Sequence, residues 1–291
     1  EAAAAPAEEE KTEAAAAPAE EAKPEAEAAP AEEAKPEAEE EATVYYGEQR
    51  DRSNIMAALG FAGLSRSAKL NDAADSVNSV SGNTGGFVPS LAVDIEAYPL
   101  AYFDVGPWWA QLFGLHIETL WSAKISWADA GQTFENSFSE MKLGLSYRFV
   151  LWQDKAAPHA TLRTGFAMMN YPNSSSFPGA NYSSPYIGLE GEYALPLELP
   201  IIDSLSVQAG LDYFLAPSVS GGVSNLGVNT AKSLFGATFG AKAAMDMYYV
   251  QFEGSFQAGS LSYDGPAGAP YAAPKFSESI LGGKILVGVT F

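Results

Sequence analysis

The stretch EMKLGLSYRF, residues 140–149, decides the fold. Met141, Leu143, Leu145, Tyr147 and Phe149 fall on one side of an extended chain. Glu140, Lys142, Gly144, Ser146 and Arg148 fall on the other. Side chains on a strand point alternately to its two faces, so this alternation makes a β-strand with one apolar and one polar face. The grammar recurs on both sides of it. Upstream, Leu91, Val93 and Ile95 oppose Ser90, Asp94 and Glu96, and Phe113, Leu115, Ile117 and Trp121 oppose Gly114, His116 and Glu118. Downstream, Leu162, Phe166 and Met168 oppose Thr161, Arg163 and Gly165. Ile187, Leu189 and Tyr193 oppose Gly188, Glu190 and Glu192. Leu205, Val207 and Leu211 oppose Ser206, Gln208 and Asp212. Phe235, Phe239 and Met245 oppose Gly236, Thr238 and Lys242, and Tyr248, Val250, Phe252 and Phe256 oppose Gln251, Glu253 and Ser255. A weaker run near residues 54–64 precedes them all, and GGKILVGVTF, residues 282–291, follows them.

Most of these runs exceed the five or six residues usual in soluble sheets. They match the roughly nine to eleven residues that a tilted strand needs to cross a bilayer. The connections sort by length. Those spanning 66–87, 122–138, 170–183, 216–232 and 260–278 read as long loops rich in Ser, Asn, Gly and Pro. The alternate ones, such as 153–158, 196–202 and the turn near Asp246, read as short. Long loops on one side and short turns on the other mark a transmembrane β-barrel. Aromatics near strand ends suit the two membrane–water interfaces. They include Tyr98, Tyr102, Trp108, Trp109, Trp121, Tyr147, Phe149, Tyr171, Tyr193, Tyr213, Phe214, Tyr248 and Tyr249. A soluble sandwich would have shorter strands and no length rule. The expected fold is all-β: an antiparallel up-and-down transmembrane barrel over 53–291, with about ten strands and a range of eight to twelve.

Charge separates the barrel from what precedes it. The chain carries a net −20, and residues 1–42 hold fifteen Glu against three Lys. That segment repeats every twelve residues, from Pro6, Pro18 and Pro30, with no aromatic and no Leu, Ile, Val or Met. It has nothing to bury, so it reads as a disordered acidic tether, joined to the barrel through a linker at 43–52. Extended like polyproline, it could reach on the order of 130 Å. Nucleic acid is not an expected partner, because no basic patch is present. With no cysteine there is neither a disulfide framework nor a thiolate metal site. The chain begins at Glu1, from which a removed signal peptide is expected.

With this strand grammar and the terminal ILVGVTF, the chain resembles the small bacterial outer-membrane β-barrels, the class of OmpA-like and opacity-type proteins. The resemblance implies a location in the outer membrane, amid its lipid, with long loops extracellular and both termini periplasmic. It implies that Phe291 is the signal read by the barrel-assembly machinery. It departs from OmpA-like proteins, which usually have eight strands and a C-terminal cell-wall domain. Here the periplasmic extension is N-terminal, and contact with the cell wall or a periplasmic protein is expected only through that tether.

Chemistry is sparse. The two histidines, His116 and His159, are far apart in sequence. His116 shares a face with Glu118, which reads as a lumen hydrogen bond, and His159, at the base of the fifth strand beside a short turn, reads as a surface or turn residue. No catalytic group, metal site or cofactor is expected. The polar faces instead predict an ion-pair network inside a narrow barrel, built from Glu118, Lys142, Arg148, Arg163, Glu190, Glu192, Asp212, Lys242, Glu253 and Lys284. Asp94, Glu96, Glu140 and Asp246 lie on the same faces. Hairpin symmetry sets Glu118 opposite Lys142, Arg163 opposite Glu190, and Glu253 diagonal to Lys284. The expected function is a structural or surface-contact barrel with a plugged lumen. A narrow diffusion channel and an outer-membrane enzyme are the two alternatives, the enzyme the less favoured.

Overall fold

The computed structural model describes residues 54–72, 80–83, 87–129, 132–150, 158–171, 179–197, 199–221, 227, 229–264 and 274–291. The acidic repeat 1–42 and the linker 43–52 lie outside the described residues. The strands in chain order are β1 (Ile55–Asp72), β2 (Val80–Asn83), β3 (Val88–Ala97), β4 (Phe113–Ser122), β5 (Ile125–Asp129), β6 (Gln132–Asn136) and β7 (Ser139–Val150). They continue with β8 (His159–Tyr171), β9 (Ala180–Leu195), β10 (Ser204–Phe214), β11 (Ser218–Ser220), β12 (Asn229–Met245), β13 (Tyr248–Tyr263) and β14 (Pro274–Thr290).

Ten of these close a ring in the order β1, β3, β4, β7, β8, β9, β10, β12, β13, β14, each antiparallel to the next. The seam between β14 and β1 runs from Met56↔Thr290 to Asp72↔Pro274. Asn54 N and Ile55 N donate to Phe291 O at 2.7 and 3.0 Å, and Phe291 N donates to Ile55 O at 2.9 Å. A closed ring leaves no unpaired edge along the seam. The three remaining pieces sit at the loop end. There β2 extends β1, β11 pairs with β9, and β5 and β6 form a separate hairpin.

Several strands are longer than alternation alone suggested. β1 has 18 residues, β12 and β14 have 17, and β9 and β13 have 16. Their extra residues occupy parts of 66–87, 170–183, 216–232 and 260–278, which their Ser, Asn, Gly and Pro content marked as loop. The pattern persists there with its polarity reversed. On β14 the outward face runs Leu281, Gly283, Ile285, Val287, Val289 and then, toward the loops, Ser279, Ser277 and Lys275. The inward face changes from Lys284 to Phe276 and Ile280, both buried. The barrel therefore has an apolar outer band with charges inside. Above that band the outer surface is polar and encloses an apolar core of Leu64, Leu70, Met169, Tyr171, Leu234, Leu261 and Phe276.

Two other expectations are corrected. The connection from β3 to β4 is not short. It spans residues 98–112 and holds the helix α1 (Pro99–Tyr102) and a 3-10 turn at Ala110–Leu112. Pro99 suits a helix start, and Asp104 and Gly106 at positive φ reverse the chain after it. Gln111 Nε2 then donates to Asp104 Oδ1 at 3.1 Å and fixes the loop. The aromatic girdle is also thinner than expected. Phe113, Tyr147 and Phe149 do face outward, with ring centroids 4.7 and 4.9 Å apart in sequence order. Tyr98, Tyr171, Phe214 and Tyr249 instead point inward and are buried. They have the parity of inward neighbours such as Glu96 and Gln251, which overrides their position near strand ends.

Candidate functional site

The lumen is where the polar side chains meet. Its central layer is built on two lysines. Lys142 Nζ, from β7, lies 2.7 Å from Asp212 Oδ2, 3.4 Å from Glu118 Oε2 and 3.7 Å from Glu140 Oε1. Lys284 Nζ, from β14, lies 2.7 Å from Glu118 Oε1, 3.0 Å from Glu253 Oε1 and 3.9 Å from Asp94 Oδ2. Glu118 thus joins the two lysines, and carboxylates from β3, β4, β10 and β13 converge on them. Opposite charges held this close offset the desolvation each would otherwise suffer.

Toward the turn end, Arg163 Nη1 and Nη2 reach Glu190 Oε2 at 2.5 Å and Glu96 Oε2 at 2.9 Å. The planar guanidinium serves two carboxylates from different walls. Tyr98 donates to Glu96 Oε1 at 2.5 Å, and the Arg148 guanidinium lies 3.9 Å over the Tyr98 ring. Lowest of all, Lys242 Nζ is 2.7 Å from Glu192 Oε1, with Ser206 Oγ donating to the same oxygen at 2.6 Å.

Register refines the pairing. Glu118 sits opposite Lys142 and Glu253 opposite Lys284, the second pair direct and not diagonal. Arg163 sits opposite Gly188, two residues from the place that hairpin symmetry assigned, yet its long side chain still reaches Glu190. Asp246 belongs to the exposed β12–β13 turn and not to the lumen. His159 lies at the base of the fifth ring strand, as expected, and its side chain is turned to a carboxylate. It opens β8, with Nε2 3.5 Å from Glu192 Oε2. His116 is buried and its Nδ1 faces the Tyr186 hydroxyl at 3.3 Å.

A second layer, toward the loops, escaped the sequence reading. Arg66 Nε donates to Glu278 Oε2 at 2.8 Å, and the Tyr182 hydroxyl donates to Glu278 Oε1. The Arg66 guanidinium lies 5.5 Å from the Tyr171 ring centroid and 5.8 Å from that of Phe276. Tyr171 OH donates to Gln257 Oε1 at 3.0 Å, and Gln257 Nε2 donates to Glu140 Oε1 at 3.0 Å. Glu140 is on β7 and Gln257 on β13, half the ring apart. A direct hydrogen bond between them crosses the whole lumen. Arg66 and Glu278 lie in segments read as loop, but SRSAKLND and PKFSESIL keep the parity of their strands, and that signal could have found them.

Little space remains. A cavity of about 60 Å³ lies below the central layer and another of about 40 Å³ above it. Glu118, Lys142, Asp212, Glu253 and Lys284 line both. Each can hold only a few waters.

No protein-family model and no curated protein matches the chain. Solved structures with similar architecture are found. The outer membrane protease OmpT from Escherichia coli is 12% identical, with 82% of this chain and 97% of that one covered at a TM-score of 0.46. The translocator domain of the autotransporter NalP from Neisseria meningitidis is 11% identical, covering 87% and 94% at 0.37. The outer membrane protein OprG from Pseudomonas aeruginosa is 10% identical, covering 82% and 96% at 0.29. The chain's own wall and lumen define its class. A closed ring of ten antiparallel strands, apolar outside and charged within, is a transmembrane β-barrel of the bacterial outer-membrane type.

Proposed function

We propose that this protein is a structural, surface-contact barrel whose lumen is closed to ions. The observation that carries this reading is the Gln257–Glu140 hydrogen bond across the full lumen, 3.0 Å long, directly above the lysine layer. In such a barrel the wall and its loops do the work and the interior is filler that sets stability. On the same reading the acidic repeat is a periplasmic tether to the cell wall or a periplasmic protein, and the long loops are extracellular. Phe291, exposed on the closing strand, is the assembly address. This reading assigns no catalytic role to His116, whose Nδ1 faces the Tyr186 hydroxyl.

A narrow diffusion channel is the second reading. It is favoured by the two small cavities that meet at one ionic layer. Lumen carboxylates outnumber lumen cations, so such a channel would prefer cations. Single-channel recording on the full chain in planar bilayers separates the two. The closed reading expects no steady current, and no current from Gln257→Ala alone, because the lysine layer still blocks the path. A large, steady, cation-selective current in the wild type would overturn it.

A further inference from the structure

The outward positions of the ten barrel strands carry two charged side chains among the described residues, Lys69 on β1 and Lys275 on β14. Both are exposed and lie between buried neighbours, so both point away from the lumen. They are adjacent. Lys69 pairs with Ser277 and Asn71 with Lys275, which makes the two lysines diagonal neighbours on one face. Diagonal neighbours are about 7–8 Å apart, and like charges there repel unless an anion lies between them. Neither ammonium has an ion-pair partner among the residues whose side chains are described. Ser67, Ser279, Ser277 and Ser260 surround them on β1, β14 and β13.

Their height identifies the anion. The last apolar outward residue on β14 is Leu281, which is 53% exposed. At about 3.3 Å per residue and a tilt of roughly 35–45°, Lys275 stands on the order of 15 Å beyond it. The headgroup layer of an ordinary bilayer adds only about 5–7 Å on each side of the hydrocarbon. Even with its side chain bent back toward the membrane, Lys275 stands above a phospholipid phosphate; Lys69, level with Ser277 and about 10 Å beyond Leu281, comes down to that level only when fully bent back. They match a phosphate carried on a taller, sugar-built head, whose hydroxyls the serine collar can bond.

We propose that Lys69 and Lys275, with this collar, bind a phosphate on the saccharide head of an outer-leaflet glycolipid. This rests on the reading that the loop end faces outward. The test uses the purified full chain in detergent with three probes: a phosphorylated glycolipid, the same glycolipid stripped of phosphate, and phosphatidylglycerol. Native mass spectrometry reads the bound fraction. The wild type should retain the phosphorylated glycolipid, with affinity about tenfold weaker for the stripped form and for the Lys69→Gln/Lys275→Gln double variant. The variant's heat-dependent gel mobility without lipid should match the wild type and show that it folds. Equal binding by the variant, or equal retention of phosphatidylglycerol, overturns the site. Orientation is read separately. The chain has no cysteine, so Lys124→Cys, at the loop end, can be labelled on intact cells with an impermeant maleimide. Labelling without glycolipid discrimination sinks the site and spares the orientation. Absence of labelling sinks the orientation and with it the glycolipid as occupant.

Discussion

Glu118 is the residue on which the central layer turns. It accepts from Lys284 at 2.7 Å and lies 3.4 Å from Lys142, so one carboxylate joins two chains of ion pairs. Removing one cation leaves the carboxylates around it uncompensated. Lys284→Ala should cost about 3–5 kcal/mol if the layer excludes water, because Glu118, Glu253 and Asp94 would be left facing one another. Urea unfolding of the reconstituted barrel measures this, and a loss below 1 kcal/mol would mean that water reaches the layer. Adding Glu253→Gln should recover part of the loss, a coupling that a double-mutant cycle reads directly. Arg163 gives the complementary case, since Glu190 and Glu96 both depend on it. Arg163→Ala should cost about 3–5 kcal/mol. Arg163→Lys should fall between it and the wild type, because an ammonium keeps the charge but not the fork that serves two walls.

At the scale of the element, two facing glycines set how closely neighbouring strands approach. Gly144 on β7 pairs with Gly165 on β8. A Cβ on Gly144 would fall 2.2 Å from Thr164 O, and one on Gly165 would fall 2.1 Å from Leu143 O. Backbone cannot yield as a flexible side chain can, so Gly165→Ala should destabilise the barrel by about 1–3 kcal/mol. Gly191 is the control. Nothing lies within 4 Å of its virtual Cβ, and Gly191→Ala should be neutral in the same unfolding experiment. A penalty equal at both sites would show that strand propensity, and not backbone contact, is being measured. Strand length belongs to this scale too. The turn-end halves were legible because alternation there puts apolar residues outward over a charged lumen. The loop-end halves were read as loop because their outward faces are Ser and Lys. The same period had switched its polarity where the surroundings change from lipid to water.

For the whole molecule, closure of the ring is the decisive feature. With β1 and β14 paired from end to end, detergent has no edge to enter. The purified chain should migrate differently on a gel before and after boiling, and identical mobility would count against a closed barrel. Removing residues 1–42 should leave the temperature of that change within a degree or two, since the segment has no large apolar side chain to pack. A drop of ten degrees would mean that the repeat docks on the barrel. The sequence by itself determined the strand order, the outward band and the inward charges of the turn-end half, because a period of two fixes which side of a wall each residue occupies; Arg66 and Glu278 were missed where the period switches polarity. Neighbouring-strand pairs such as Glu118–Lys142 follow from hairpin symmetry, but only tertiary structure decided which charges meet across the lumen. Arg163 reaches Glu96 across three strands and Gln257 reaches Glu140 across half the ring. Such partners depend on barrel diameter, strand stagger and side-chain reach, and these are properties of the closed ring that no single strand encodes.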